Sequence, residues 1–144
     1  PISQFDSYEQ VTAAAKKGNA EAQYWLGEAY FDGESQFEQP SAVDYVQARA
    51  WYDKAVAQKD ACAQHAIGWM YDSGTGAEED KAQAFAWYEK AAKQGLSKSQ
   101  FNLGVLYRDG LGVAQNMKAA KSWFEKAAAQ GDEEAAAELA DWSE

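Results

Sequence analysis

At 144 residues, with six Trp, eight Tyr and six Phe, the chain has the length of one domain and enough apolar surface for an ordered core, which excludes general disorder. Its formal net charge of −10 repels phosphate backbones and anionic lipid heads, so neither nucleic acid nor a membrane surface is expected as a partner. The single cysteine, Cys62, rules out an internal disulfide framework and leaves the compartment open.

Taken in chain order, the elements repeat. The segment Val11–Asn19, "VTAAAKKGN", reads as the close of a helix and belongs to an N-terminal half-unit over 1–18. A first full unit over 19–59 opens with a helix in "AQYWLGEAYFDG" (Ala22–Gly33) and closes with one in "WYDKAVAQK" (Trp51–Lys59). The second unit, 60–95, has "AQHAIGWMYDSG" (Ala63–Gly74) and "WYEKAAKQG" (Trp87–Gly95). The third, 96–131, has "SQFNLGVLYRDG" (Ser99–Gly110) and "WFEKAAAQG" (Trp123–Gly131). A C-terminal half-unit over 132–144 carries "GDEEAAAELADW", with Ala140 where the other units have glycine. Gly68 and Gly104 are 36 residues apart, whereas Gly27 and Gly68 are 41 apart, so unit one holds five extra residues, placed in the insertion 34–43. A fixed period in this range means stacked supersecondary units. The fold expected is all-α, with about eight helices.

Each unit reads as two helices. In the first, a stripe at helical spacing runs Ala22, Leu26, Tyr30, then Ala63, Ile67, Tyr71, then Ser99, Leu103, Tyr107. The glycine beside it, Gly27, Gly68 or Gly104, permits close approach of the neighbouring helix. The helix ends on Gly33, Gly74 or Gly110, each suited to a left-handed cap. The second helix starts after an N-cap at Asp44, Asp80 or Asn116. It carries Ala48, Trp51 and Ala55, then Ala84, Trp87 and Ala91, then Ala120, Trp123 and Ala127. The Trp is expected to fill one large hole per unit, and the alanines to allow tight contact.

The pattern "AxxxLGxxYxxGxGV…DxxkAxxWyekAAxqG" resembles the Sel1-like repeat family, and Ser99–Gly131 follows it almost throughout. The resemblance runs from about Asn19 to Trp142. A tetratricopeptide array has a shorter period and lacks the doubled glycines of "GTGA" (Gly74–Ala77) and "GLGV" (Gly110–Val113). Unit one departs, with no second glycine after Gly33 and with Lys59 at the closing position. The resemblance implies a right-handed α-solenoid whose first helices line a concave face, and non-enzymatic protein–protein binding, often as an adaptor. It favours a periplasmic or cell-envelope setting over the cytoplasm. It also implies a narrower alternative, an immunity or inhibitor partner of a secreted bacterial enzyme. The β-lactam binding linked to a cysteine-rich subgroup is not carried over, because the paired cysteines are missing. The chain starts at Pro1, with no signal segment legible, and reads as a processed or excised piece.

Function is expected where the units differ. Beside the core stripe, positions −3, +1 and +4 from the glycine hold Tyr24, Glu28 and Phe31, then His65, Trp69 and Asp72, then Phe101, Val105 and Arg108, then Ala137 and Asp141. On groove-lining helices these would meet a partner segment, and aromatics and Arg are what binding hot spots favour. The competing reading packs some of them on the adjacent helix. Phe37, in the insertion, is a second candidate contact, since loops on rigid scaffolds often carry function and also tolerate neutral insertions. The acidic charge suits a partner with a basic surface. Cys62 and His65 share a helix face three residues apart, which leaves an enzyme or small-ligand site as the opposing class. No further Cys or His completes a metal site, and the glycine pairs lack the strand and Lys-Ser/Thr of a phosphate loop, so no metal or cofactor is expected.

Overall fold

The computed structural model describes residue 5, residues 7–33 and residues 43–142, so Phe37 and all of the insertion but Val43 lie outside the described residues. Among the described residues there are eight helices and no strand: α1 Tyr8–Lys16, α2 Ala20–Asp32, α3 Tyr45–Val56, α4 Ala61–Ser73, α5 Lys81–Lys93, α6 Ser97–Asp109, α7 Met117–Ala129 and α8 Glu133–Ala140. The chain divides into two compact units, 1–63 and 64–144.

Local chemistry sets the helix ends. The side chains of Asp44, Asp80 and Asn116 accept from the amides three residues on, as N-caps do. Their own amides donate back to the carbonyls of Tyr30, Tyr71 and Tyr107 at 2.8, 3.0 and 2.9 Å. The turn from first to second helix is therefore closed by the same bond in all three repeats, although repeat one carries extra residues between the bonded groups. Second helices end with the Schellman pattern, in which Asn19, Asp60, Leu96 and Asp132 donate to the carbonyls of Ala14, Ala55, Ala91 and Ala127. The residue before each donor has positive φ: Gly18, Lys59, Gly95 and Gly131. Lys59 thus takes the glycine conformation at φ 63, and repeat one closes like the others.

The repeats pack around one contact. Tyr52, Tyr88 and Phe124, each next to the Trp, are at most 1% exposed. Their rings lie on the glycine of the facing first helix. A Cβ on Gly27, Gly68 or Gly104 would come within 2.6, 2.8 and 2.7 Å of the respective ring. The alanines at Ala48, Ala55, Ala84, Ala91, Ala120 and Ala127 are fully buried around it. The expectation for Trp needs correction here. Trp51, Trp87 and Trp123 are only partly buried, and the hole belongs to the neighbouring Tyr or Phe. The Trp instead seals the seam toward the preceding repeat. Trp51 packs on the Val11, Ala15, Ala22 and Leu26 cluster, and Trp123 on the cluster of Ala84, Tyr88, Leu103 and Leu106. Its outer face is covered three residues on by Lys54, Lys90 or Lys126, with the ammonium 4.2, 4.3 and 4.2 Å from the ring centroid.

A buried amide ladder joins successive repeats. In the first unit Gln58 Nε2 donates to the Gly18 carbonyl at 2.7 Å and to Gln23 Oε1 at 3.1 Å, while Gln23 Nε2 donates to the Ala15 carbonyl at 3.2 Å. In the second unit Gln130 repeats this with the Gly95 carbonyl and Gln100, both at 2.8 Å, and Gln100 with the Ala92 carbonyl. Gln94 likewise donates to Gln64 at 2.8 Å. The second glycine of "GLGV" also has a steric reason. Gly112, at φ +72, lies so close to the Lys81 carbonyl at the start of α5 that any Cβ would overlap it.

The glycine–ring contact makes a specific prediction. Alanine is the better helix former by about 1 kcal/mol, yet Gly104→Ala should lower stability by about 1–2 kcal/mol, because Phe124 is fully buried and has nowhere to move. Urea unfolding of Gly104→Ala, Phe124→Leu and the double variant checks it. The double variant should lose less than the sum of the two singles. A neutral or stabilising Gly104→Ala would show that the ring readily accommodates a methyl.

Candidate functional site

The positions beside the core stripe surround the tips of the three buried rings. In the first unit, Tyr24 and Phe31 lie 6.1 and 6.5 Å from Tyr52 between centroids, and Glu28 accepts from the Tyr52 hydroxyl at 2.5 Å. Tyr24 also meets Trp25 edge-on at 5.2 Å, and Phe31 meets Tyr45 at 5.2 Å. All three candidates are half-buried and contribute to holding Tyr52. Burial pushes the Tyr24 and Tyr52 hydroxyls above their ordinary range, and the charge of Glu28 adds to both shifts.

In the second unit, His65 lies 5.2 Å from Tyr88, and Asp72 accepts from the Tyr88 hydroxyl at 3.0 Å. Asp72 Oδ1 also pairs with Lys81 Nζ at 2.6 Å, and the same ammonium donates to the Asp72 carbonyl. Phe101 packs on Phe124 at 5.6 Å. Arg108 stands 5.9 Å over the Phe124 ring and pairs with Glu138 at 2.6 Å and Asp109 at 3.0 Å. Val105 is half-buried against the Ala120, Phe124, Ala127 and Ala135 cluster. Trp69 differs from these neighbours in being 42% exposed. The residues absent from the sequence-based set are Tyr88, Lys81 and Ser99. Ser99, fully buried, bonds His65 Nδ1 through its hydroxyl at 2.7 Å. A signal for it existed, since Ser99 stands where the other repeats have Ala22 and Ala63.

These bonds bear on the enzyme reading. The His65 imidazole is engaged by Ser99 and stacked beside Tyr88. Cys62 is a half-buried free thiol. Among the described residues no group of three or more His, Cys, Asp or Glu is placed to hold a metal ion, and no helix is long and apolar enough to cross a membrane.

With this geometry in hand, comparison with known proteins is informative. The family model for the Sel1 repeat matches residues 20–60, 62–96 and 97–132. Among solved structures, the chain is similar to a Sel1 repeat protein from Oxalobacter formigenes, at 36% identity and TM-score 0.82 over 93% of this chain and 97% of that one. It is similar to c5321, a protective antigen of uropathogenic Escherichia coli strains with an SLR fold, at 38% identity and TM-score 0.81. That match covers 88% of this chain and 26% of the antigen. It is also similar to cysteine-rich protein B of Helicobacter pylori, at 25% identity and TM-score 0.68 over 88% and 92% of the two chains. No curated protein matches. The fold class is therefore that of the Sel1-like α-solenoids.

The charge state of the site is set mainly by burial. Burial lowers the His65 pKa from 6.5 to about 4, with Lys98 pushing the same way and Asp72 opposing. The folded chain then resists protonation that the unfolded chain accepts, so stability is full above pH 6.5 and is lost as pH falls toward 4. Relative to a His65→Asn variant, the wild type should lose about 2 kcal/mol more between pH 7 and pH 4.5. Denaturant melts at several pH values measure this, and parallel curves for the two chains would show that His65 is not held neutral.

Proposed function

The chain belongs to the Sel1 repeat family, and from that premise we propose that it is a non-enzymatic module that binds a segment of another protein on its first-helix face. Sel1 repeats generally serve protein–protein interaction, and proteins built from them are typically scaffolds without enzymatic activity. The observation that carries the finer reading is Trp69. Its counterparts in the other full repeats are Glu28 and Val105, so the fold does not require an aromatic there. A large indole that is 42% exposed at such a position is costly to leave in water and valuable in an interface.

The other candidates take supporting roles in this reading. His65, Asp72, Phe101 and Arg108 are tied to the buried rings or to one another, so they present a stiff surface on either side of the indole. A stiff surface loses little entropy on binding. Tyr24, Glu28 and Phe31 form the equivalent surface of the first unit. The net charge of −10 favours a basic partner, through encounter rate as well as affinity.

Trp69→Ala should leave stability within about 0.5 kcal/mol of the wild type and weaken a captured partner by about 2 kcal/mol or more. The matched control is Lys118→Ala, on the exposed surface of α7, rather than Lys90→Ala, because Lys90 covers Trp87. Affinity capture with the three chains, followed by calorimetry on the captured partner, separates the outcomes. Loss of cooperative folding in Trp69→Ala would make the residue part of the core. Unchanged binding would move the interface elsewhere.

A further inference from the structure

We infer that Trp69 and Asp72 together form a seat for an arginine side chain of the partner segment, with the guanidinium lying on the indole and pairing with the carboxylate. This rests on the docking reading above and adds the chemistry of what is docked. The two residues are three apart on α4, so they rise from one side of the helix with their Cβ atoms about 5–6 Å apart. The indole is 42% exposed and the Asp72 side chain 27% exposed. The carboxylate is held from both sides, Oδ2 by the Tyr88 hydroxyl at 3.0 Å and Oδ1 by Lys81 at 2.6 Å. A carboxylate has about four acceptor positions; these bonds occupy two of them and fix the plane of the group. The entropy of orienting it is therefore already met before a ligand arrives.

Arginine fits this pair better than lysine. Its guanidinium is planar, stacks on an aromatic face and directs several N–H groups at a carboxylate, whereas an ammonium is a compact, strongly hydrated charge. Lys81 offsets part of the Asp72 charge, so the indole must supply a share of the attraction, and a stacking cation is the kind that can use it. The surrounding charges allow this. His65, one turn earlier on α4, is neutral near pH 7, so it sets no cation beside the indole. Arg108 on α6 is held by Glu138 and Asp109. The other repeats do not offer the same pair. Repeat three has Val105 and Arg108, and repeat one has Glu28 followed by Phe31, whose ring is half-buried on Tyr52 and Tyr45.

The test uses the full chain against an array of short random peptides, followed by solution titration of the selected peptides. Selected peptides should be rich in arginine. Replacing that arginine by citrulline, which keeps the shape and removes the charge, should weaken binding about tenfold or more, as should Trp69→Ala. Tyr88→Phe frees the carboxylate without changing ring volume, and repeat three already carries Phe124 at that place. It should reduce the preference for arginine over lysine by about threefold or more, with a cooperative melt showing that the chain remains folded. Peptides that need Trp69 but are indifferent to citrulline overturn the arginine seat and leave the docking reading standing. Peptides indifferent to Trp69→Ala overturn both. An array with no selected peptide overturns the seat.

Discussion

An aromatic ring lying on bare backbone is the constraint from which the rest of this structure follows. Tyr52, Tyr88 and Phe124 can reach full burial only because Gly27, Gly68 and Gly104 have no side chain beneath them. That contact sets how closely the two helices of a repeat approach. The approach in turn requires alanine at the flanking positions, and it directs the neighbouring Trp outward onto the preceding repeat. There it is partly exposed, and a lysine three residues on covers it. The repeated letters are thus a set of dependent solutions to one packing problem rather than independent choices.

The same contact decides what the first-helix face can present. Each buried ring ends at that face, and the residues at −3, +1 and +4 gather round its tip. A tyrosine brings a hydroxyl to a place with no water, so a carboxylate must meet it, Glu28 in one repeat and Asp72 in another. Phenylalanine makes no such demand, and in repeat three the face instead carries Arg108, paired with Glu138 and Asp109. Variation on the face is therefore partly a consequence of the single Tyr-to-Phe difference in the second helix. What remains unexplained by packing is the exposed indole of Trp69.

Much of the fold was legible in the sequence because its signals are local and written three times. Caps at Asp44, Asp80 and Asn116, left-handed glycines at Gly33, Gly74 and Gly110, and the stripe through Leu26, Ile67 and Leu103 depend on nearest neighbours in the chain. Which ring fills the hole was not legible. Trp87 and Tyr88 are adjacent, point about 100° apart on a helix, and are told apart only by where the preceding repeat lies. Lys59 also misled, because a lysine gives no sign that it will adopt φ 63; the Asp60 amide bonding back to Ala55 holds it there. The buried glutamines were hidden for a different reason. Glutamine is ordinarily a surface residue, and its partners lie some 30 residues away, although the recurrence of Gln23, Gln64 and Gln100 marked them. At the candidate face, positions were legible and roles were not. His65 beside Cys62 suggested chemistry, while its actual neighbour is Ser99 from another helix.

The amide ladder has a bearing on how such a chain came to exist. Each glutamine pair joins one repeat to the end of the one before, Gln130 to Gln100 and Gly95, Gln58 to Gln23 and Gly18. Every repeat therefore carries a donor side for its predecessor and an acceptor side for its successor. Duplicating a genetic segment one period long inserts both halves at once, and the new junction finds its bonds already encoded. A tract with that property can lengthen or shorten by whole periods without passing through an intermediate that buries an unpaired amide. Changes of any other size disrupt the ladder unless they fall where repeat one has its insertion, between the two groups of the Tyr30–Asp44 bond and away from the glutamines. Lineages of this kind should therefore diversify first in copy number, and only later in the surface each copy offers.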